Sequence, residues 1–155
     1  MNGAHEDGGF LMCRIGSLVG ALALKDVRET MRPLPVVPLA GAPSYVLGLA
    51  IVRGFPVPVV DASRLLNSTA SASPSRFVSL RLGERTASLA VDAVLGTRSL
   101  SRGALSESSP LVKQLGSEFV STMGALDAQL LLVLETARMV PDTVWNAIQA
   151  AEAAA

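Results

Sequence analysis

The sequence predicts a mainly β fold: two similar small barrels packed together, with short helical turns and a C-terminal helix. Three observations carry this reading. Short apolar runs recur in pairs with turn residues between them, the order of runs in the first half is repeated in the second, and a small polar stretch at 67–75 (NSTASASPS) divides the chain near its middle. With 155 residues, 50% of them hydrophobic, the chain can bury one substantial core, or two small ones that lean on each other.

The elements follow in order. Residues 1–9 form a tail with no pattern that would order it. Runs at 10–15 and 18–24 are separated by Gly16-Ser17 and read as a hairpin, although their alternation is imperfect. Residues 25–30 (KDVRET) offer one turn of helix. An uncharged, Pro-rich stretch then leads into a strand at 45–52 (YVLGLAIV), which meets 55–61 (FPVPVVD) across Arg53-Gly54. Pro56 and Pro58 suit only an edge or a bulge there, because proline has no amide proton to give to a ladder.

Beyond the linker, Val78, Leu80 and Leu82 alternate with Ser79 and Arg81, and Ala87, Leu89 and Val91 with Ser88 and Ala90, across Gly83-Glu84-Arg85. This is the clearest hairpin in the chain. A strand at 94–100, a polar excursion at 101–117 and a last hairpin of 119–125 with 129–134 over Asp127-Ala128 follow. Pro141-Asp142 opens the terminal helix, with Val144 and Ile148 on one face. LALKDVRE at 22–29 lines up with LAVDAVLG at 89–96, and DASRLL at 61–66 with ETARMV at 135–140. Residues 10–140 are therefore expected to form a single domain, with barrel one mainly at 10–66, barrel two mainly at 76–140 and some exchange of strands; 141–155 supply the helix and tail.

Composition excludes several functions. Thirteen basic residues balance 13 acidic ones and are scattered, so the electrostatic footprint of a nucleic-acid binder is missing. The single histidine, His5, lies in the tail, which leaves no His-assisted nucleophile and no His metal site. Asp61, Asp92 and Glu135 each end an apolar strand, where capping or a bond to a turn amide accounts for them better than acid–base catalysis. No Gly-rich phosphate loop is present, Cys13 reads as a packed thiol, and no cofactor is expected. Residues 33–52 are uncharged over a membrane-spanning length, but Pro33, Pro35, Pro38 and Pro43 would break such a helix. The acidic N-terminus lacks the pattern of a secretory signal, so a cytoplasmic protein without membrane insertion is expected.

At 48–61, GLAIVRGFPVPVVD resembles the CheW family, whose hallmark is Gly-x-x-Asn-Leu-Arg-Gly followed by an apolar, Pro-containing strand ending in Val-Asp. The likeness extends to FLMCRIGSLVGALALKDVRETM at 10–31, LRLGERTASLAVDAVLG at 80–96 and GALDAQLLLVLETARMV at 124–140. It implies two five-stranded SH3-like barrels sharing a hydrophobic junction. It also implies a non-catalytic adaptor that joins the cytoplasmic tips of methyl-accepting chemoreceptors to the regulatory domain of a CheA-type histidine kinase. Carried over by position, Arg53 and Gly54 match the family's Arg-Gly, Glu29 its acid after the first hairpin, and Val27 and Gly48 positions near the receptor groove. A Glu29–Arg53 ion pair would then fix the loop beside that groove. Ile51-Val52 stands in place of Asn-Leu, Gly20 in place of an aromatic, and the first turn is apolar where the family's is acidic. The competing reading is a small-barrel module for nucleic acid or oligosaccharide, which would need a basic or aromatic strand face that this chain lacks.

Overall fold

The computed structural model describes residues 8–67, 74–100, 105–106, 117–126 and 129–154. Eleven strands are seen: β1 (Gly9–Ile15), β2 (Leu18–Ala23), β3 (Val27–Met31), β4 (Val46–Val52), β5 (Phe55–Asp61), β6 (Arg76–Leu82), β7 (Arg85–Val91), β8 (Ala93–Ser99), β9 (Leu105–Ser106), β10 (Val120–Leu126) and β11 (Gln129–Leu134). Helix α1 spans Ala62–Leu65 and α2 spans Asp142–Ala154. Parts of the expected tail, linker and polar excursion, and the turn at 127–128, lie outside the described residues.

The strands build a six-stranded sheet in the order β8-β1-β2-β11-β10-β9 and a five-stranded sheet in the order β3-β6-β7-β5-β4. The two orders correspond. In each, the first hairpin of one half of the chain takes the third strand of the other half on one side and the other half's second hairpin on the other. The junction between hairpins is parallel both times, β2 with β11 and β5 with β7. The sheets therefore do not follow the halves: β1 and β2 pair with strands of the second half, and β6 and β7 with strands of the first. Among the described residues neither sheet is hydrogen-bonded shut, so the expected barrels are open ladders, one of them lengthened by the two-residue β9.

This exchange explains the apolar runs that failed to alternate. Along β1, Phe10 and Met12 enter a small core with Val19, Ala21, Leu131 and Val133, while Leu11, Cys13 and Ile15 enter a larger one. That larger core also holds Val60, Val78, Leu80 and Leu89 of the five-stranded sheet and Leu132 of the six-stranded one, so it is the junction between the sheets. Ala50, Val59, Phe77 and Ala90 make a third core on the far face of the five-stranded sheet. Strands buried on both faces read as continuous hydrophobic runs.

Several expected elements differ. The helical turn expected at 25–30 is shorter and earlier: a 3-10 turn at Leu24–Asp26 gives way to β3, whose Glu29 and Thr30 lie opposite Ser79 and Val78. Pairing with the β6 edge overrides the helix former in KDVRET. β5 is an interior strand, not an edge, yet its parallel pairing with β7 covers only Val59, Val60 and Asp61, so Pro56 and Pro58 lie before that ladder begins. Leu49, opposite Pro58, turns its own amide and carbonyl the other way, to Val37 at 2.8 Å each, which marks this pair as non-hydrogen-bonded and leaves no partner in β4 waiting for a proline amide.

Asp61 caps α1 by accepting from the Ser63 amide at 3.0 Å, but 135–140 forms only a turn, since Glu is not a helix-capping residue. The echo survives in packing: Leu65-Leu66 and Met139-Val140 are all buried in the junction. Asp61 N donates to Tyr45 O and Glu135 N to Phe119 O, both at 2.8 Å, and the two aromatic rings meet edge-on at 5.7 Å. Helix α2 closes the junction with Val144 and Ile148, and Arg85 lies 4.9 Å over the Trp145 ring.

Candidate partner-binding site

The site begins with a tight turn. Arg53 (φ 50°) and Gly54 (φ 85°) both take left-handed conformations between β4 and β5, the arrangement of a two-residue hairpin loop whose twist matches that of its strands. Asn-Gly suits such a turn best, and a non-glycine residue in this region is strained. The chain keeps an arginine there, 69% exposed, and its guanidinium forks onto Glu29 of β3. Nη1 donates to Oε2 and Nη2 to Oε1, the latter at 2.8 Å. The Glu29 carboxyl is held below its usual range first by these bonds, opposed by desolvation, and further by the charges of Arg53 and Arg28.

The topology gives this pair a second meaning. β3 and β4 are the opposite edges of the five-stranded sheet, yet Glu29 on one touches Arg53 at the end of the other. The sheet must curl to bring them together, and the ion pair clasps its rim where no ladder does.

The other expected residues lie further in. Val27 starts β3 opposite Leu80, half-buried against the junction core, and a bulge between Val27 and Glu29 separates the two in register. Gly48 is buried at a bulge in β4, with φ 143°. A Cβ on it would lie 2.0 Å from the Val37 carbonyl oxygen and 2.8 Å from Pro38 Cα. Its role in the structure is to let the Pro-rich segment lie close against β4. Glu29, Arg53 and Gly54 thus share one rim, while Val27 and Gly48 support it from inside.

Sequence reasoning missed the apolar surroundings. Ile51 and Phe55 are exposed beside the turn, and Val37 is exposed further along the same hairpin, where it bridges Leu49. Ile51 and Phe55 flank Arg53-Gly54 and could have been found there; Val37 could not, because its place depends on the isolated bridge to Leu49.

Chemistry elsewhere is sparse. Asp92 is a structural pin: its Oδ2 accepts from the Gly16 amide at 2.7 Å and its own amide donates to Arg14 O at 2.9 Å, tying the first hairpin turn to the crossing between sheets. Asp26 and Glu135 share a cleft of about 300 Å³ with Arg81 and Thr136. Among the described residues no cluster of three side chains could hold a metal ion, and no helix is long and apolar enough to cross a membrane.

Comparison with known proteins identifies the family and the fold. The chain is 26% identical over 142 residues to the chemotaxis protein CheW of Rhizobium meliloti (strain 1021), with 90% of each chain covered. Its fold is similar to that of the scaffolding protein TtCheW from Thermoanaerobacter tengcongensis, with a TM-score of 0.75 at 18% identity, covering 86% of this chain and 92% of that one. The family model of the CheW-like domain matches residues 9–144, which takes in every strand of both sheets. The chain belongs to the CheW-like domain family, whose members are non-catalytic scaffolds and adaptors.

Proposed function

We propose that this chain is a cytoplasmic adaptor that couples the cytoplasmic tips of methyl-accepting chemoreceptors to the regulatory domain of a CheA-type histidine kinase. The observation that carries the reading is the Arg53–Glu29 clasp. An arginine is kept at a turn position that disfavours it, exposed, and oriented by a fork onto a carboxylate from another strand. An oriented surface arginine next to apolar side chains is a recurrent anchor of protein interfaces. Arg53 is the residue that touches the partner and Glu29 positions it. Gly54 permits the turn, Val27 joins the contact surface to the junction core, and Gly48 holds the 33–38 segment in place. The relatives support the partner class: one is a chemotaxis protein and the other a scaffolding protein.

Mixing the purified chain with a receptor cytoplasmic fragment and the kinase regulatory domain of the same cell tests this directly. Sedimentation should show a complex containing all three. Binding to neither component, by a chain with an intact melting transition, would refute the coupling role.

A further inference from the structure

Three of the exposed large hydrophobic residues, Val37 at 69%, Ile51 at 64% and Phe55 at 66%, gather at the end of the five-stranded sheet that carries Arg53. Directly paired residues of antiparallel strands share a face, so Val37, Leu49 and Ile51 line one side of the β4–β5 ribbon with Pro56 and Pro58. Phe55 pairs with Val52 and lies on the other side. The tip is apolar on both faces, with a cation at its point. Single exposed apolar side chains need no explanation, whereas a group of them around an oriented arginine has the make-up of an interface centre.

Charge selects the occupant. Arg53 commits two of its five donors to Glu29. Arg28 adds a second guanidinium whose charge is felt at Glu29 and which donates to Thr86 Oγ1 at 3.3 Å. Two cations therefore share one carboxylate and the rim stays positive. Two copies of this rim would repel each other if they met face to face, which disfavours self-association through it.

We infer that this rim receives a protein segment presenting aliphatic or aromatic side chains beside a carboxylate, and that Phe55 and Ile51 set which partner the chain accepts. The carboxylate lies against the spare donors of Arg53 within reach of the Arg28 charge, and the apolar side chains cover Phe55 and Ile51. This rests on the reading of Arg53 as a partner anchor and names the partner's chemistry at the same place. It also gives a use to the departure at Ile51, where the family's pattern has asparagine.

The test is calorimetric titration of the full chain and of Phe55→Thr, Ile51→Thr and Arg53→Ala against the receptor cytoplasmic fragment and the kinase regulatory domain, with a melting curve for each variant. Phe55→Thr and Ile51→Thr should each weaken binding to the same component as Arg53→Ala, by about tenfold for a residue at the centre of an interface, with melting unchanged. That binding should also weaken as salt rises from about 0.05 M to about 0.5 M, because an exposed cation–carboxylate contact is screened. If Arg53→Ala weakens binding and the two apolar variants do not, the inference fails while the anchor stands. If none of the three matters, both fail. Indifference to salt overturns the carboxylate, and a dimer in sedimentation that Phe55→Thr dissolves overturns the choice of occupant.

Discussion

Replacing Gly48 by alanine is the sharpest single test of how the rim is supported. The added Cβ would be placed 2.0 Å from the Val37 carbonyl oxygen and 2.6 Å from its carbonyl carbon, both backbone atoms that cannot rotate aside. The 36–38 backbone must move off β4, which breaks the two 2.8 Å hydrogen bonds between Val37 and Leu49. Those bonds contribute roughly 1 kcal/mol each, and a non-glycine residue at positive φ costs about 1 to 3 kcal/mol more. The sum is roughly 3 to 5 kcal/mol, which for a domain of this size lowers the melting temperature by about 6 to 20 °C. Gly54→Ala is the matched control: φ is 85° there, but no atom lies within 4 Å of the new Cβ, so it should lose only the smaller, conformational part. Thermal unfolding followed by circular dichroism measures both. Equal and small losses for the two variants would show that the Pro-rich segment does not press on Gly48.

Three other outcomes follow from the geometry and from the proposed function. Arg53→Ala should leave the melting temperature nearly unchanged while weakening binding to receptor or kinase by at least about tenfold, measured on one preparation, since an exposed pair stabilises little and an interface arginine much. Because the folded-state pKa of Glu29 lies below its ordinary 4.5, any stability gained from the clasp is present above that value and lost as pH falls through the depressed one. The difference in melting temperature between wild type and Glu29→Gln should therefore shrink between pH 6 and pH 2.5, taken as roughly the window of a depressed carboxylate. Burial pushes the Cys13 thiol up to about 12, so Ellman's reagent at pH 8 should label no thiol in the folded chain and one in denaturant, and labelling of the native protein would contradict the buried placement.

Much of this was legible in sequence because it is local. The turns at Gly16-Ser17, Arg53-Gly54 and Gly83-Glu84, the last one residue shorter than expected, the capping by Asp61 and the buried pair Val144 and Ile148 all follow from residues adjacent in the chain or one helical turn apart. Resemblance alone points to Arg53 and Glu29; nothing in their separation of 24 residues announces a contact. The misread elements are those fixed by distant partners. KDVRET carries a fair helix signal, and only the β6 edge at 77–80 makes 27–31 a strand. Pro56 and Pro58 are tolerated in an interior strand because β7 stops pairing before it reaches them, which depends on a register set by residues 88–90. Val37 became part of the rim through a bridge that no pattern of alternation encodes.

The exchange of strands between the halves decides how the chain can fold. A fragment of residues 1–70 would contain β1 to β5, the whole of the expected first barrel. In the structure, however, β1 and β2 are flanked by β8 and β11, β3 pairs with β6, and β5 pairs with β7. All four of those neighbours are missing from the fragment, so two separate hairpins and a lone strand remain, and an isolated two-stranded hairpin is marginal in water. The junction core fares no better, since Val78, Leu80, Leu89 and Leu132 would be gone from around Leu11, Ile15 and Val60. Fragment 1–70 should therefore show no cooperative thermal transition and a largely unordered circular dichroism spectrum, alone or at any temperature. Mixing it with residues 71–155 should restore β structure, because each fragment holds the missing edges of the other's sheet. A sharp transition in 1–70 by itself would mean that the first half closes on its own strands, and the exchanged topology would be wrong.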